Sequence, residues 1–275
     1  MAMQSVALIT TPEAKDQLVA ELWELGTHGI AERDLPDGRV ELRSFFPEQI
    51  EDPVLDGGAW REEPDTDWNT GWREAWQPLL VGDRFFLAPE WCGDPTPAGR
   101  LRLTMHAGMA FGTGADASTQ LCLEALARHV GPGSTVLDVG TGTGILAIAA
   151  SLIGASRVVA CDIDAASVAE AGQHVRLAGA RVELFAGSVR SLGGAASFDL
   201  VVANVNAATL VSLAQQIRRL GRKTVLSGFG ASALPAIEAA FGPAVAARER
   251  GEWLCLVVEA PIDIESPHET KDVLR

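Results

Sequence analysis

The chain is poor in cysteine, in positive charge and in long apolar runs. Its four cysteines, Cys92, Cys122, Cys161 and Cys255, are scattered without a C-x-x-C pair, and its five histidines do not cluster. That spacing argues against a disulfide framework or a zinc site and reads as reduced core thiols in a cytoplasmic protein. Apolar runs such as 145–150 fall far short of a membrane span. The first residues, MAMQSVALITTPE, lack the basic flank and apolar core of a signal peptide. Bases are outnumbered, 22 Lys and Arg against 36 Asp and Glu, for a formal net charge of −14. The imbalance sits at the N-terminal end: residues 1–67 hold 16 acids and 5 bases, which leaves −3 of the −14 to the rest. A field of that sign repels phosphate backbones and speaks against direct nucleic-acid binding. It reads either as a solvated face or as a docking surface for a basic protein, and charge alone does not choose.

What is present is a globular composition, 47% hydrophobic and 21% charged over 275 residues, enough for one large domain or two smaller ones. The opening reads as a small α/β unit. A strand at 6–9 precedes a helix over 12–24, with Thr11 and Pro12 as its start signal and Gly26 as its end. Strands at 29–33 and 40–46 flank the turn LPDG, whose Asp-Gly is a hairpin signal. Strand, helix, strand, strand suits an α+β sandwich of ferredoxin-like type. Trp68, Trp72 and Trp76 then recur every four residues, which predicts one helical face, read as a core stripe joining two domains. From residue 117 helical and strand patterns alternate. Strands are predicted at 135–139, 157–162, 181–187, 198–204, 223–229, 244–248 and 253–259, with helices between most of them. Apolar strands alternating with helices predict a mostly parallel sheet covered on both faces.

The stretch STVLDVGTGTGILAIAA, residues 134–150, is a strand, a glycine turn and a helix in succession. Ligands of open α/β sheets lie at the carboxyl ends of strands, where Asp138, Gly140, Gly142 and Gly144 fall. Asp162 closes the next strand, 22 residues after Gly140, at the spacing of an acceptor for ribose hydroxyls. The ligand is therefore expected to contain a nucleoside. A Walker loop needs a lysine that this turn lacks. A dinucleotide fingerprint begun at Gly140 meets Ile145 in place of its third glycine, while one begun at Gly142 meets Ala147, a permitted variant. Tight strand–helix packing without any ligand would use the same glycines.

Asp138-x-Gly140-x-Gly142-x-Gly144 with Asp162 resembles the cofactor motif of class I S-adenosylmethionine-dependent methyltransferases. The tryptophan segment, GMAFGTGADASTQLCLEAL at 108–126, VANV at 202–205 and RERGEW at 248–253 are together similar to the PrmA family, which methylates lysines of ribosomal large-subunit protein eleven. The resemblance covers most of 68–258 and, before that, extends to layout more than sequence. It implies an α/β fold with a seven-stranded, mostly parallel sheet and a small N-terminal α+β, ferredoxin-like domain. It further implies an acidic recognition domain at 1–58, a Trp-rich linker and connector at 59–99, a methyltransferase domain at 100–260 and a polar tail at 261–275. Carried over by position, Thr113, Thr119, Gly140, Gly142, Gly144, Asp162 and Asn204 would bind S-adenosyl-L-methionine, and Asn204 would also be catalytic, between cofactor and acceptor amine. Phe111 would wall the cofactor or be core. The implied partner is a basic ribosomal protein, large-subunit protein eleven, with no nucleic acid and no membrane.

The chain departs from the family pattern in several places, mildly at Val205-Asn206-Ala207, where Ile or Leu-x-Ala is usual after Asn204. His106-Ala107 stand where Asp-Pro is usual, Asp116 stands where a histidine is usual, and Gly187-Ser188 end a strand where many relatives of the wider superfamily carry an acid for the adenine amine. Asp116 and His106 bear on acceptor choice and leave another protein lysine open as the target; a cofactor-binding regulatory paralogue is a second rival, and a nicotinamide-dependent oxidoreductase a third, disfavoured by the glycine spacing.

Overall fold

The computed structural model describes residues 4–12, 14–62, 77–106, 116–193 and 196–259. Trp68, Trp72 and Trp76, the 107–115 stretch with Phe111 and Thr113, and the 261–275 tail lie outside the described residues. The chain divides into two compact units, Met1–Trp76 and Gln77–Arg275.

In the first unit the order is β1 (Gln4–Thr10), α1 (Lys15–Glu24), β2 (Gly29–Asp34), β3 (Val40–Phe46), a 3₁₀ turn (Pro53–Leu55) and β4 (Ala59–Glu62). The strands pair in the order β2-β3-β1-β4, with every neighbour antiparallel. Two split strand–crossover–strand units interleave in this way, the ferredoxin-like arrangement, with the second helix reduced to one 3₁₀ turn. Asp52 starts that turn by accepting the Val54 N–H at 2.9 Å. Strand alternation puts Val6, Leu8, Val40, Leu42 and Phe46 on one face, where they form a core with Leu22 and Leu55. Helix α1 begins later than Thr11 and Pro12 predict. Ala14 N–H bonds to Thr11 O in a turn, and Ala14 takes the cap position with no side-chain bond.

The second unit opens with β5 (Leu79–Val81), β6 (Phe85–Pro89) and β7 (Leu101–Met105), a small sheet of its own. Residues 59–99 are thus not only linker and connector: β4 completes the first sheet, and β5 and β6 build part of the second unit. All five residues of β6, FFLAP, are buried, so this run is core, although its proline and those that follow suggest a loop. Next come α2 (Ala117–His129), β8 (Thr135–Val139), α3 (Ile145–Ile153), β9 (Arg157–Asp162), α4 (Ala165–Leu177), β10 (Glu183–Ala186), β11 (Phe198–Asn204), α5 (Ala207–Leu220), β12 (Gly221–Gly230), α6 (Leu234–Phe241), β13 (Ala246–Arg250) and β14 (Trp253–Glu259). They build a seven-stranded sheet in the order β10-β9-β8-β11-β12-β14-β13, with β14 alone reversed. The strand order turns back between β8 and β11, and a crevice opens beyond the carboxyl ends of strands at such a switch. Cys122, Cys161 and Cys255 are buried and Cys92 is half-buried; all four are free thiols. Among the described residues no helix is long and apolar enough to cross a membrane.

Candidate active site

The crevice at the switch point has a volume of about 650 Å³. Strand β8 delivers Asp138 to its edge, fully buried, with Oδ2 accepting the Thr141 hydroxyl at 2.7 Å. Burial pushes the Asp138 carboxyl up to about 7, against the pull of the Thr141 bond. Beyond it the glycine turn is stapled to β9: the N–H groups of Gly140 and Thr141 both reach Cys161 O, at 2.9 and 3.0 Å. Gly140 has φ +73°, and a Cβ there would run into Val205 Cγ1, so only glycine holds this bend so close to β11.

Asp162 ends β9 facing the turn. Its Oδ2 accepts the Gly142 N–H at 3.0 Å and its Oδ1 the Asp164 N–H at 3.1 Å. The carboxylate is therefore fixed in direction, and each oxygen keeps a second lone pair for a hydroxyl donor. Across the crevice Asn204 ends β11, and its amide Nδ2 donates to Thr119 Oγ1 at 3.1 Å. That bond joins residues 85 apart in sequence and turns the Asn204 carbonyl oxygen the other way. Thr119 is buried in the first turn of α2.

The crevice wall thus gathers Thr119, Gly140, Gly142, Asp162 and Asn204. Gly144 is not in it. The structure puts Gly144 at the start of α3, where a Cβ would lie 3.1 Å from Ala171 Cβ, so it serves the approach of α3 to α4. Thr113 lies outside the described residues. Asp116 lines the crevice; it precedes α2 at the cap position yet makes no side-chain cap bond. His106 does not line it.

Several wall residues escape the sequence reading. Ile163 follows Asp162 and lines the crevice with 84% of its surface exposed. Gly228 of β12 has φ +91°, and its bare backbone lets Val205 approach. Trp253 also lines the wall, as does Ser188, which the sequence already singles out. Trp253 belongs to the quoted block RERGEW, and Arg250 in that block bonds Glu124 Oε1 at 2.6 Å as well as Gln120 Oε1, tying the β13–β14 hairpin to the helix that carries Thr119. An apolar residue directly after a strand-ending acid and a tryptophan after a glycine turn were the available signals.

Residues 55–261 match the family model described as ribosomal protein L11 methyltransferase (PrmA). The chain belongs to this PrmA family. It is 36% identical over 256 residues to the ribosomal protein L11 methyltransferase of Thermus thermophilus, covering 90% of this chain and 95% of that one. The Gloeobacter violaceus protein of the same name is 35% identical over 270 residues, covering 89% of this chain and 83% of that one. Among solved structures, the ribosomal protein L11 methylase of Lactobacillus delbrueckii subsp. bulgaricus superposes with a TM-score of 0.63 at 29% identity, over 67% of this chain and 99% of that one. A PrmA chain needs room for a nucleoside beside an acceptor amine, and the bend at Gly140, the directed carboxylate of Asp162 and the bare Ile163 side chain fit the nucleoside.

Proposed function

We propose that the chain is a protein-lysine N-methyltransferase that uses S-adenosyl-L-methionine and acts on ribosomal protein L11. The observation that carries this reading is the pairing of Asp162, held by the glycine turn, with Asn204, held by Thr119, across one crevice in a chain of the PrmA family. When bound, S-adenosyl-L-methionine supplies an electrophilic methyl group on a sulfonium. The protein's own work is to hold and to orient. Asp162 accepts the ribose hydroxyls, Gly140 and Gly142 let the backbone approach, and Ile163 covers the adenine. Ser188 stands at the strand end where many relatives of the wider superfamily carry an acid, so its hydroxyl takes over the adenine edge.

A lysine amine titrates near ~10.4 in water and reacts only when neutral. The apolar wall of Val205, Leu213 and Trp253 disfavours its ammonium form. The Asn204 carbonyl oxygen accepts one N–H of the neutral amine and aims its lone pair, a positioning contribution without a dedicated base. Thr113 joins the cofactor side in this reading. Residues 1–58, extended through β4, act as the acidic recognition domain for a basic ribosomal protein, and 100–260 carry the chemistry. The free thiols and the ribosomal acceptor both suit the cytoplasm.

The test is methyl transfer from radiolabelled S-adenosylmethionine to purified ribosomal proteins, with calorimetry against S-adenosylmethionine and NAD. Label on lysines of L11 supports the reading. Label on another protein moves the acceptor, cofactor binding without transfer to any of them makes the chain a regulatory paralogue, and preference for NAD removes the reading altogether.

A further inference from the structure

Behind the glycine turn, and apart from the crevice, two histidines stack. His106, directly after β7, and His174, near the end of α4, have ring centroids 4.3 Å apart and planes within 11°. His174 is buried, and its Nδ1 lies 2.8 Å from the carbonyl oxygen of Thr143, the residue between Gly142 and Gly144. A carbonyl oxygen only accepts, so Nδ1 of His174 carries the hydrogen and donates it. The His106 Nδ1 lies 2.9 Å from Glu90 Oε2 and donates in the same sense. The space left beside the pair, between Thr104, Ile145 and Ile148, is about 10 Å³, at the lower limit for a single water. The two rings therefore form a packed strut from Glu90 through His106 and His174 to the backbone of the turn.

We propose that His174 is a positioning residue for the cofactor turn and that His106, anchored by Glu90, fixes the rotamer of its ring. On its crevice side the turn is held by Cys161 O, which accepts from Gly140 and Thr141, by Asp162, which accepts from Gly142, and by Asp138, which accepts the Thr141 hydroxyl. His174 adds a hold from the opposite side, where Thr143 leads into α3, by gripping the Thr143 carbonyl from α4. Neither histidine lines the crevice; Ile145 borders both the crevice and the space beside the pair, so the strut reaches the site through the turn and the first residue of α3.

This inference rests on the reading of the crevice as an S-adenosylmethionine site, and the test separates the two. Calorimetry with S-adenosylmethionine on the unaltered chain comes first, and absence of binding there defeats the site itself. Given binding, His174→Phe keeps a ring for the stack but removes the donor, and His174→Asn keeps a donor at the Nδ1 position but removes the ring. The expected result for His174→Phe is roughly 10-fold weaker cofactor binding, the size of one lost hydrogen bond. The cofactor KM should rise in step, while kcat and the acceptor KM stay within about 2-fold, since the turn and not the acceptor side has moved. His174→Asn should recover most of the lost affinity. A folded His174→Phe protein that binds like the parent overturns the proposal, as does a His174→Asn protein no better than His174→Phe. Should His174→Phe fail to fold, His106→Ala carries the test: it leaves the donor but frees the ring. Its expected effect is a cofactor affinity weakened by roughly 3-fold, and unchanged affinity would overturn the strut.

Discussion

Asp138 and Asn204 sit at the ends of neighbouring strands and are put to opposite uses. Asp138 is sealed off, and burial lifts its carboxyl from 3.8 to about 7. Between those values the native chain keeps a proton that the unfolded chain has released, so stability falls as pH rises through the window and levels off above it. Asp138→Asn keeps an oxygen for the Thr141 hydroxyl and has nothing to titrate. Compared with the parent it should gain on the order of 2–4 kcal/mol at pH 8 and nothing below pH 4, read from urea unfolding across that range. A pH-independent offset would show that Asp138 is not the titrating group. Asn204 is half-buried, with its amide nitrogen committed to Thr119 and its oxygen proposed to meet the acceptor amine. Asn204→Ala should lower kcat by about 100-fold while cofactor affinity by calorimetry changes less than about 3-fold. Equal losses in both would make it a cofactor ligand only.

Among the elements, those bounded by chemistry were the easiest to read. RVVACD and FDLVVAN are strands to the residue because each is an apolar run closed by a polar group, Asp162 or Asn204, at the sheet's edge. Prolines and acids obscure the β4–β6 region: β4, largely exposed, is a strand by pairing with β1, and only β6 is buried throughout. The crevice shows the same division. Gly140 and Asp162 follow from spacing along the chain, whereas the meeting of Thr119 with Asn204 depends on how α2 lies against β11, which no local pattern contains. Gly144 reads like its neighbours in sequence but faces α4, because successive turn residues point in different directions. Gly228 shows how far an element can depend on one missing atom. Its Cβ would lie 2.5 Å from the Val205 carbonyl oxygen and 2.8 Å from the carbonyl carbon, backbone that cannot swing aside. Gly133, in the same unit, has nearly the same backbone angle, φ +90°, with nothing within 4 Å. Gly133→Ala should therefore cost about 1 kcal/mol, the backbone penalty alone, and Gly228→Ala at least about 3 kcal/mol. Similar costs for the two, by urea unfolding, would mean that β12 yields at Gly228.

Over the whole molecule, charge and chemistry are kept apart. Residues 1–67 carry 16 acids to 5 bases, while the unit that holds the crevice is close to balanced. Glu48, Glu51 and Asp56 are exposed, so their field reaches solvent. If that field recruits a basic ribosomal protein, it acts on encounter and not on the reacting atoms, and salt should separate the two. The screening length shrinks from about 10 Å at 0.1 M to about 3 Å at 1 M. The KM for the protein acceptor should accordingly rise roughly 10-fold between 0.05 and 0.5 M salt, while kcat and cofactor affinity stay within about 2-fold. Changing Glu48, Glu51 and Asp56 together to lysine should raise the acceptor KM at low salt and flatten its salt dependence, because the attraction being screened has been reduced. Cofactor affinity, measured by calorimetry on the same proteins, serves as the internal control. An acceptor KM indifferent to salt in both proteins would leave the acidic segment as a solubilising face and place recognition of the acceptor in shape and hydrogen bonding.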